Sequence, residues 1–232
     1  MSAPITVDIW SDIACPWCYV GKRRFEQALA RYEHADEVTV TWRSFELDPG
    51  APAKYDEDNA TRLARKYGTS REQMDGMQAQ LAQTAAGEGL DMRLDSAQGG
   101  NTFDGHRLVH LAEQHGKQDE MKERLFRAYF TDGAVVGDHE TLTRAAADVG
   151  LPEDEVRELL MTERYAEEVR DDERTASQLG ITGVPFFVVD RKIAASGAQS
   201  PDILLELLRQ ARPEEPAIPV VTGGDACGPD GC

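Results

Sequence analysis

Two hydrophobic periods alternate along this chain. Ile5, Val7 and Ile9 alternate with Thr6 and Asp8, the two-residue period of a half-buried strand. Phe25, Ala28, Leu29 and Tyr32 then recur at helical spacing. Val38, Val40 and Trp42 alternate with Thr39, Thr41 and Arg43 and predict a second strand. Cys15-Pro16-Trp17-Cys18 lies between the first strand and the helix. Pro16 suits a first helical position, where the N–H it lacks has no intrahelical partner anyway. The spacing therefore predicts a strand–helix–strand unit with Cys15 at the helix N-terminus and Cys18 one turn inside.

Asp48-Pro49-Gly50-Ala51-Pro52 ends that unit. From about Tyr55 to Leu179 only helical patterns and turns occur, roughly six helices by their punctuation. Ser70 followed by Gln73 reads as a capping box, and Asp138 as an N-cap for a helix that ends before Gly150. Pro152 followed by Glu153, Asp154 and Glu155 reads as a helix start with acids at the positive dipole end. The strand signature returns in Pro185-Phe186-Phe187-Val188-Val189, followed by a turn at Asp190-Arg191 and a partner strand over 192–196. Ser200-Pro201-Asp202 opens a last amphipathic helix carrying Ile203, Leu204, Leu207 and Leu208, and Pro213 stops it.

The prediction is an α/β unit over 1–49 plus 180–212, interrupted by an all-helical insertion over 50–179. Residues 213–232, rich in Pro and Gly, read as a flexible C-terminal tail.

Composition narrows the function. Of 232 residues, 42 are Asp or Glu and 25 are Lys or Arg, a formal charge of −17. That balance repels phosphate backbones and anionic lipid headgroups, so nucleic-acid and membrane partners are not expected. No apolar run approaches the roughly 18 residues of a membrane span. The segment 1–10 lacks a basic region followed by a long apolar one, so the expected location is cytoplasmic.

The four cysteines form two close pairs, Cys15/Cys18 and Cys227/Cys232. In a reducing compartment such pairs point to redox chemistry or metal binding rather than scaffolding. Two residues between Cys15 and Cys18 bring the sulfurs into bonding range across one helical turn. A helix N-terminus favours thiolate, which is the nucleophile, and Cys18 is placed to resolve a mixed disulfide formed by Cys15. Half of a zinc site and two incidental buried thiols are the rival readings. Thr182-Gly183-Val184-Pro185 precedes the returning strand. Alone this is an ordinary Pro at a strand start. With the cysteine motif it predicts a cis Val184–Pro185 bond facing the thiols and a Val184 backbone offered to an extended peptide.

Cys227-Gly228-Pro229-Asp230-Gly231-Cys232 contains a turn sequence that brings its thiols together. A flexible tail of this length spans roughly 25 Å, enough for exchange with the Cys15–Cys18 pair. Incidental oxidation or metal capture is the bland alternative. His106 and His110, four apart on a helix, lack an identifiable third metal ligand, so they read as surface or packing residues. Lys22, Arg23 and Arg24 read as an exposed basic cluster, and the acid-rich stretch 153–174 as a solvated helix face. Trp10, Trp17 and Phe45 suit either an apolar groove around the thiols or, for Trp10 and Phe45, the core.

The order strand, CPWC helix, strand, helical insertion, GVP hairpin and helix resembles the DsbA-like branch of the thioredoxin superfamily. The stretch from Trp10 to Lys22 is similar to the FrnE-type members. So are Phe45-Glu46-Leu47-Asp48-Pro49, Asn101-Thr102-Phe103-Asp104-Gly105-His106-Arg107 and the segment from Thr182 to Val188. The resemblance covers residues 5 to about 210. It implies a thioredoxin fold interrupted by a large helical insertion, a nucleophile at Cys15, a resolving thiol at Cys18 and a cis Pro185. Pro16, Trp17, Val184 and Pro185 are then the substrate-contacting residues, and Cys227 and Cys232 an auxiliary redox pair, as in some FrnE-type proteins. Trp17 stands where periplasmic DsbA has His, and a neutral indole adds no cationic stabilisation to a thiolate. A reduction potential between about −120 and about −270 mV is therefore expected.

The function expected is thiol–disulfide exchange with protein or small-thiol disulfides, with no cofactor beyond the redox-active disulfide and no metal. Oligomeric state stays open. Two alternatives remain: a glutathione-dependent isomerase or kappa-type transferase acting on a small aromatic substrate, and a metal-binding protein using all four thiols.

Overall fold

The structure, a computed structural model, describes residues 4–211. Four strands make one sheet: β1 (Ile5–Ser11), β2 (Val38–Ser44), β3 (Phe186–Val189) and β4 (Ile193–Ser196), in the order β2-β1-β3-β4. β1 and β2 run parallel from the pair Ile5 and Val38 to the pair Ser11 and Ser44. A parallel pair needs a long crossover, which α1 (Pro16–Ala30) supplies. β3 is antiparallel to both β1 and β4. The turn between β3 and β4 places Asp190 at φ 49° and Arg191 at φ 55°, the left-handed backbone of a tight hairpin. Asp190 ties this turn to the sheet: its N–H donates to Thr6 O at 2.8 Å, and its Oδ1 accepts from Thr6 N at 2.9 Å.

Seven helices separate β2 from β3, where the punctuation of the sequence predicts roughly six. They are α2 (Asn59–Tyr67), α3 (Arg71–Gly87), α4 (Phe103–Gln114), α5 (Gln118–Phe130), α6 (His139–Val149), α7 (Glu153–Met161) and α8 (Ala166–Gln178). Their ends follow local chemistry. Ser70 and Gln73 form the reciprocal capping box. Asp138 accepts from Thr141 N at 2.9 Å, and Gly150 closes α6 in the left-handed conformation. The last helix, α9 (Pro201–Ala211), packs on α1.

Ala60 and Ala64 of α2 pack with Met74 of α3 in a small cluster of their own, and one large hydrophobic cluster joins most of the other elements. Val7 and Ile9 of the sheet, Val20 and Phe25 of α1, Leu108 of α4, Phe126 of α5, Leu142 of α6 and Leu208 of α9 all belong to it. Tyr19 of α1 stacks on Phe126 at 4.9 Å between ring centroids. The free edge of β2 is not left to water. Gln118 of α5 accepts from Trp42 N at 2.9 Å and donates to Trp42 O at 3.1 Å. Asp172 of α8 accepts from Ser44 N at 2.8 Å and, through its carbonyl, from Trp10 Nε1 at 3.0 Å.

The basic run on α1 differs from its sequence expectation. The Lys22 side chain is 2% exposed and pairs with Glu26, Asp119 and Glu123. Arg23 shares Glu26 and Glu123, and Arg24 pairs with Glu88 at 2.6 Å. The cause is tertiary packing: acids of α5 cover Lys22 and Arg23, and Glu88, at the end of α3, meets Arg24. Asp172 is likewise a buried exception within the acid-rich stretch 153–174. No helix among the described residues is long and apolar enough to cross a membrane.

Candidate active site

The site forms where β1 runs into α1. Cys15 is the N-cap of α1 with extended backbone, and Pro16 follows at the first helical position. The Cys15 N–H donates to Asp12 O at 3.1 Å, and the Cys18 N–H to Cys15 O at 3.0 Å. Both cysteines are free thiols and both are buried. Cys18 lies deeper, at 0% exposure, and burial pushes its thiol well above the ordinary range; the neighbouring Cys15 adds to that shift. Trp17, between them, is 44% exposed.

The loop before β3 closes over the thiols. The Val184–Pro185 peptide bond is cis. Cys15 Sγ donates to Val184 O at 3.5 Å. This approach depends on Gly21, because a Cβ there would lie 2.9 Å from Pro185 Cγ. The structure thus brings Cys15, Cys18, Pro16, Trp17, Val184 and Pro185 to one place. Cys227 and Cys232 lie outside the described residues.

Three buried polar residues behind the thiols carry no signal in the hydrophobic spacing. Asp12 Oδ2 accepts from Leu47 N at 2.8 Å, and its Oδ1 faces His106 Nε2 at 3.3 Å. His106 and the Leu47 amide hold the Asp12 carboxyl below its usual range despite burial. Burial keeps His106 neutral, so the hydrogen-bond geometry assigns its proton to Nε2, directed at Asp12. Lys122 of α5 is fully buried. Its ammonium donates to Ser11 O at 3.3 Å and lies over the rings of Phe126 and Trp42. Burial pulls Lys122 down to about 8, against the attraction of Cys18, Asp12 and Cys15. The sequence Met121-Lys122-Glu123 looks like any solvated helix stretch, and only tertiary packing reveals its role.

His106 and His110 are both buried but do not meet at a metal. His110 Nε2 faces Ser44 Oγ at 3.2 Å and Asp172 Oδ2 at 3.1 Å. Among the described residues no group of three or more His, Cys, Asp or Glu could hold a metal ion. Trp10 is core, 3% exposed.

A family model described as a DSBA-like thioredoxin domain matches residues 6–209. The chain is 47% identical to a probable DsbA oxidoreductase from Streptomyces coelicolor, with a TM-score of 0.87 and coverage of 98% of each chain. It is 28% identical over 198 residues to the uncharacterized protein YwbO of Bacillus subtilis, covering 84% of this chain and 91% of that one. The cytosolic disulfide reductase DsbM from Pseudomonas aeruginosa shares the fold at 19% identity and a TM-score of 0.61, over 88% of this chain and 97% of that one.

Proposed function

The chain belongs to the DsbA-like thioredoxin-domain family of thiol–disulfide oxidoreductases, and on that premise we propose that it exchanges electrons with disulfide substrates through Cys15 and Cys18. The observation that carries this reading is the pair of free thiols at the start of α1, the outer one 3.5 Å from Val184 O and the inner one sealed from solvent.

The thiolate of Cys15 attacks one sulfur of a substrate disulfide. The substrate S–S bond breaks, a Cys15 mixed disulfide forms, and one substrate thiolate leaves. Cys18 then loses its proton and attacks Cys15 Sγ, expelling the second substrate thiolate and closing the Cys15–Cys18 disulfide. Run backwards, the same steps oxidise a dithiol substrate. The raised Cys18 thiol stays protonated until the mixed disulfide is made, and the Lys122 ammonium behind it favours the thiolate needed for the second step. Pro16 and Trp17 flank the sulfurs, and Val184 and Pro185 offer backbone to the substrate. Substrates are disulfides of proteins or small thiols. A cytosolic setting is part of the proposal, supported by the shared fold of the cytosolic reductase. The tail pair Cys227 and Cys232 is proposed to exchange with the Cys15–Cys18 disulfide.

The test is the redox equilibrium of the Cys15–Cys18 pair in graded glutathione buffers, read by alkylation mass shift on the full chain carrying Cys227→Ser and Cys232→Ser. A two-electron transition between about −270 and about −120 mV is expected. Cys18→Ser should trap a mixed disulfide on Cys15, and Cys15→Ser should abolish reduction of insulin disulfides. If no disulfide forms at any poise, the reading is wrong.

A further inference from the structure

A cavity of about 600 Å³ opens beside Cys15, between the thiol-bearing loop and helices α2 and α3 of the insertion. Its floor is hydrocarbon and aromatic: Met74, Leu94, Tyr129 and Phe130, all buried. Its mouth is apolar too. Seven large hydrophobic side chains are exposed among the described residues, and four of them (Trp17, Leu47, Tyr67 and Met77) line this one cavity. A concentration of exposed apolar surface around one concavity marks a binding site. The volume falls within the roughly 300–1,000 Å³ of small-molecule sites.

The wall carries a half-buried cation that is incompletely satisfied. Arg62 of α2 stacks over the Tyr55 ring at 4.6 Å and donates to Asn59 Oδ1 at 2.7 Å. Its Nε, shut off from solvent beside Gly99, has no hydrogen-bond partner, and its Nη1 lies 4.0 Å from Asp48 Oδ2. Asp48 already accepts from Tyr55 Oη at 2.7 Å. Lys66, exposed on the next turn of α2, lines the same cavity and pairs with no acid among the described residues. A guanidinium that lines an apolar cavity and meets its own carboxylate only at 4.0 Å is suited to a second carboxylate.

We propose that this cavity is the substrate subsite of the dithiol, and that it takes a low-molecular-weight disulfide or thiol bearing a long apolar arm with an anionic group, the arm seated on α2 and α3 and the anion on Arg62. This rests on the dithiol reading above and names its substrate class. The reacting sulfur sits at the mouth, next to Cys15. Cys15 thiolate breaks the ligand S–S bond and holds one half as a mixed disulfide, while the other half leaves as thiolate and takes a proton from water. Cys18 releases the second half, and the ligand has gained two electrons from the dithiol. Two equivalents of a small thiol return the protein to its reduced form. The apolar lining sets this class apart from a polar peptide thiol such as glutathione, which would leave most of the lining unmatched.

The test uses single turnovers of the pre-reduced full chain with ω,ω′-dithiodialkanoic acids of increasing length and with their bis-amides, read by quenched mass spectrometry of the Cys15–Cys18 peptide. The half-saturating concentration should fall by up to about fourfold per added methylene, the equivalent of about 0.8 kcal/mol per buried CH₂. The rate at saturation should stay nearly constant. Arg62→Met should raise the half-saturating concentration of the acids about tenfold and leave the amides within twofold. Leu81 of α3 also lines the cavity, and Leu81→Trp, which fills it, should remove the length dependence. Absence of any length dependence overturns the proposal while the dithiol reading stands, and so does an equal effect of Arg62→Met on acids and amides. Failure of the dithiol to react with any disulfide, glutathione included, overturns both.

Discussion

Lys122 has no solvent-accessible surface and one hydrogen-bond acceptor among the described residues, the Ser11 carbonyl. Its ordinary value of 10.5 falls to about 8 in the fold, which corresponds to roughly 3 kcal/mol against the charged form. Because the folded value is the lower one, the unfolded chain binds more protons between about 8 and 10.5, and stability from this group rises with pH across that window. Replacing Lys122 with Met, of similar volume, should therefore stabilise the protein by about 1–3 kcal/mol at pH 7, with the gain shrinking toward pH 10.5; urea denaturation at both pH values checks it. Glu46 shows the opposite drift. Burial pushes its carboxyl from 4.5 up to about 7, against the pull of Arg170, which pairs with it at 2.6 Å. The folded state then holds the extra proton, so this group's contribution falls as pH rises from about 4.5 to 7. Glu46→Gln should flatten the stability profile over that window, as thermal melts at intervals of half a pH unit would show. Lys122 is not conspicuous in the sequence. Lys122 has the neighbours of a surface lysine, and the groups that surround it come from β1, β2 and α1, far away along the chain.

Among the elements, the contact between α1 and the loop before β3 leaves the least room. Gly21 sits under Pro185, and a methyl there would meet the proline ring at 2.9 Å. A ring cannot swing aside as a long side chain can. Gly21→Ala should cost about 1–3 kcal/mol through overpacking, seen as a lower urea midpoint at unchanged m-value. The larger frame was legible before this contact was. The two-residue period of Ile5, Val7 and Ile9, the proline after Cys15 and the apolar run ending at Val189 each have a direct physical cause in strand pleat or helix start, and the structure has β1, α1 and β3 there. Ser70 and Asp138 cap helices for equally local reasons. Helical spacing in the insertion reports that helices exist and which side is apolar. It does not report which apolar sides meet, so the cavity between α2, α3 and the thiol loop, with Arg62 in its wall, had no signature.

Across the whole molecule, the sheet and most of the inserted helices share one large hydrophobic cluster, Ala176 of α8 packs with Trp10 and Val188 of the sheet, and polar bridges cross at Trp42 and Gln118, Ser44 and Asp172, and Asp12 and His106. Parts that share a core in this way lose it together. Equilibrium unfolding should therefore give one transition, with tryptophan fluorescence and far-ultraviolet circular dichroism coincident; two separated transitions would show that the insertion stands alone. The same interruption has a consequence for how the protein is made. Cys15 and its acceptor, the Val184 carbonyl, are 169 residues apart. At about 5–20 residues per second, the ribosome delivers the thiol roughly 10–30 s before the loop that closes over it. During that interval the growing chain carries both Cys15 and Cys18 with no lid. A nascent polypeptide is then itself open to the oxidants and disulfides of its surroundings until the last strands emerge.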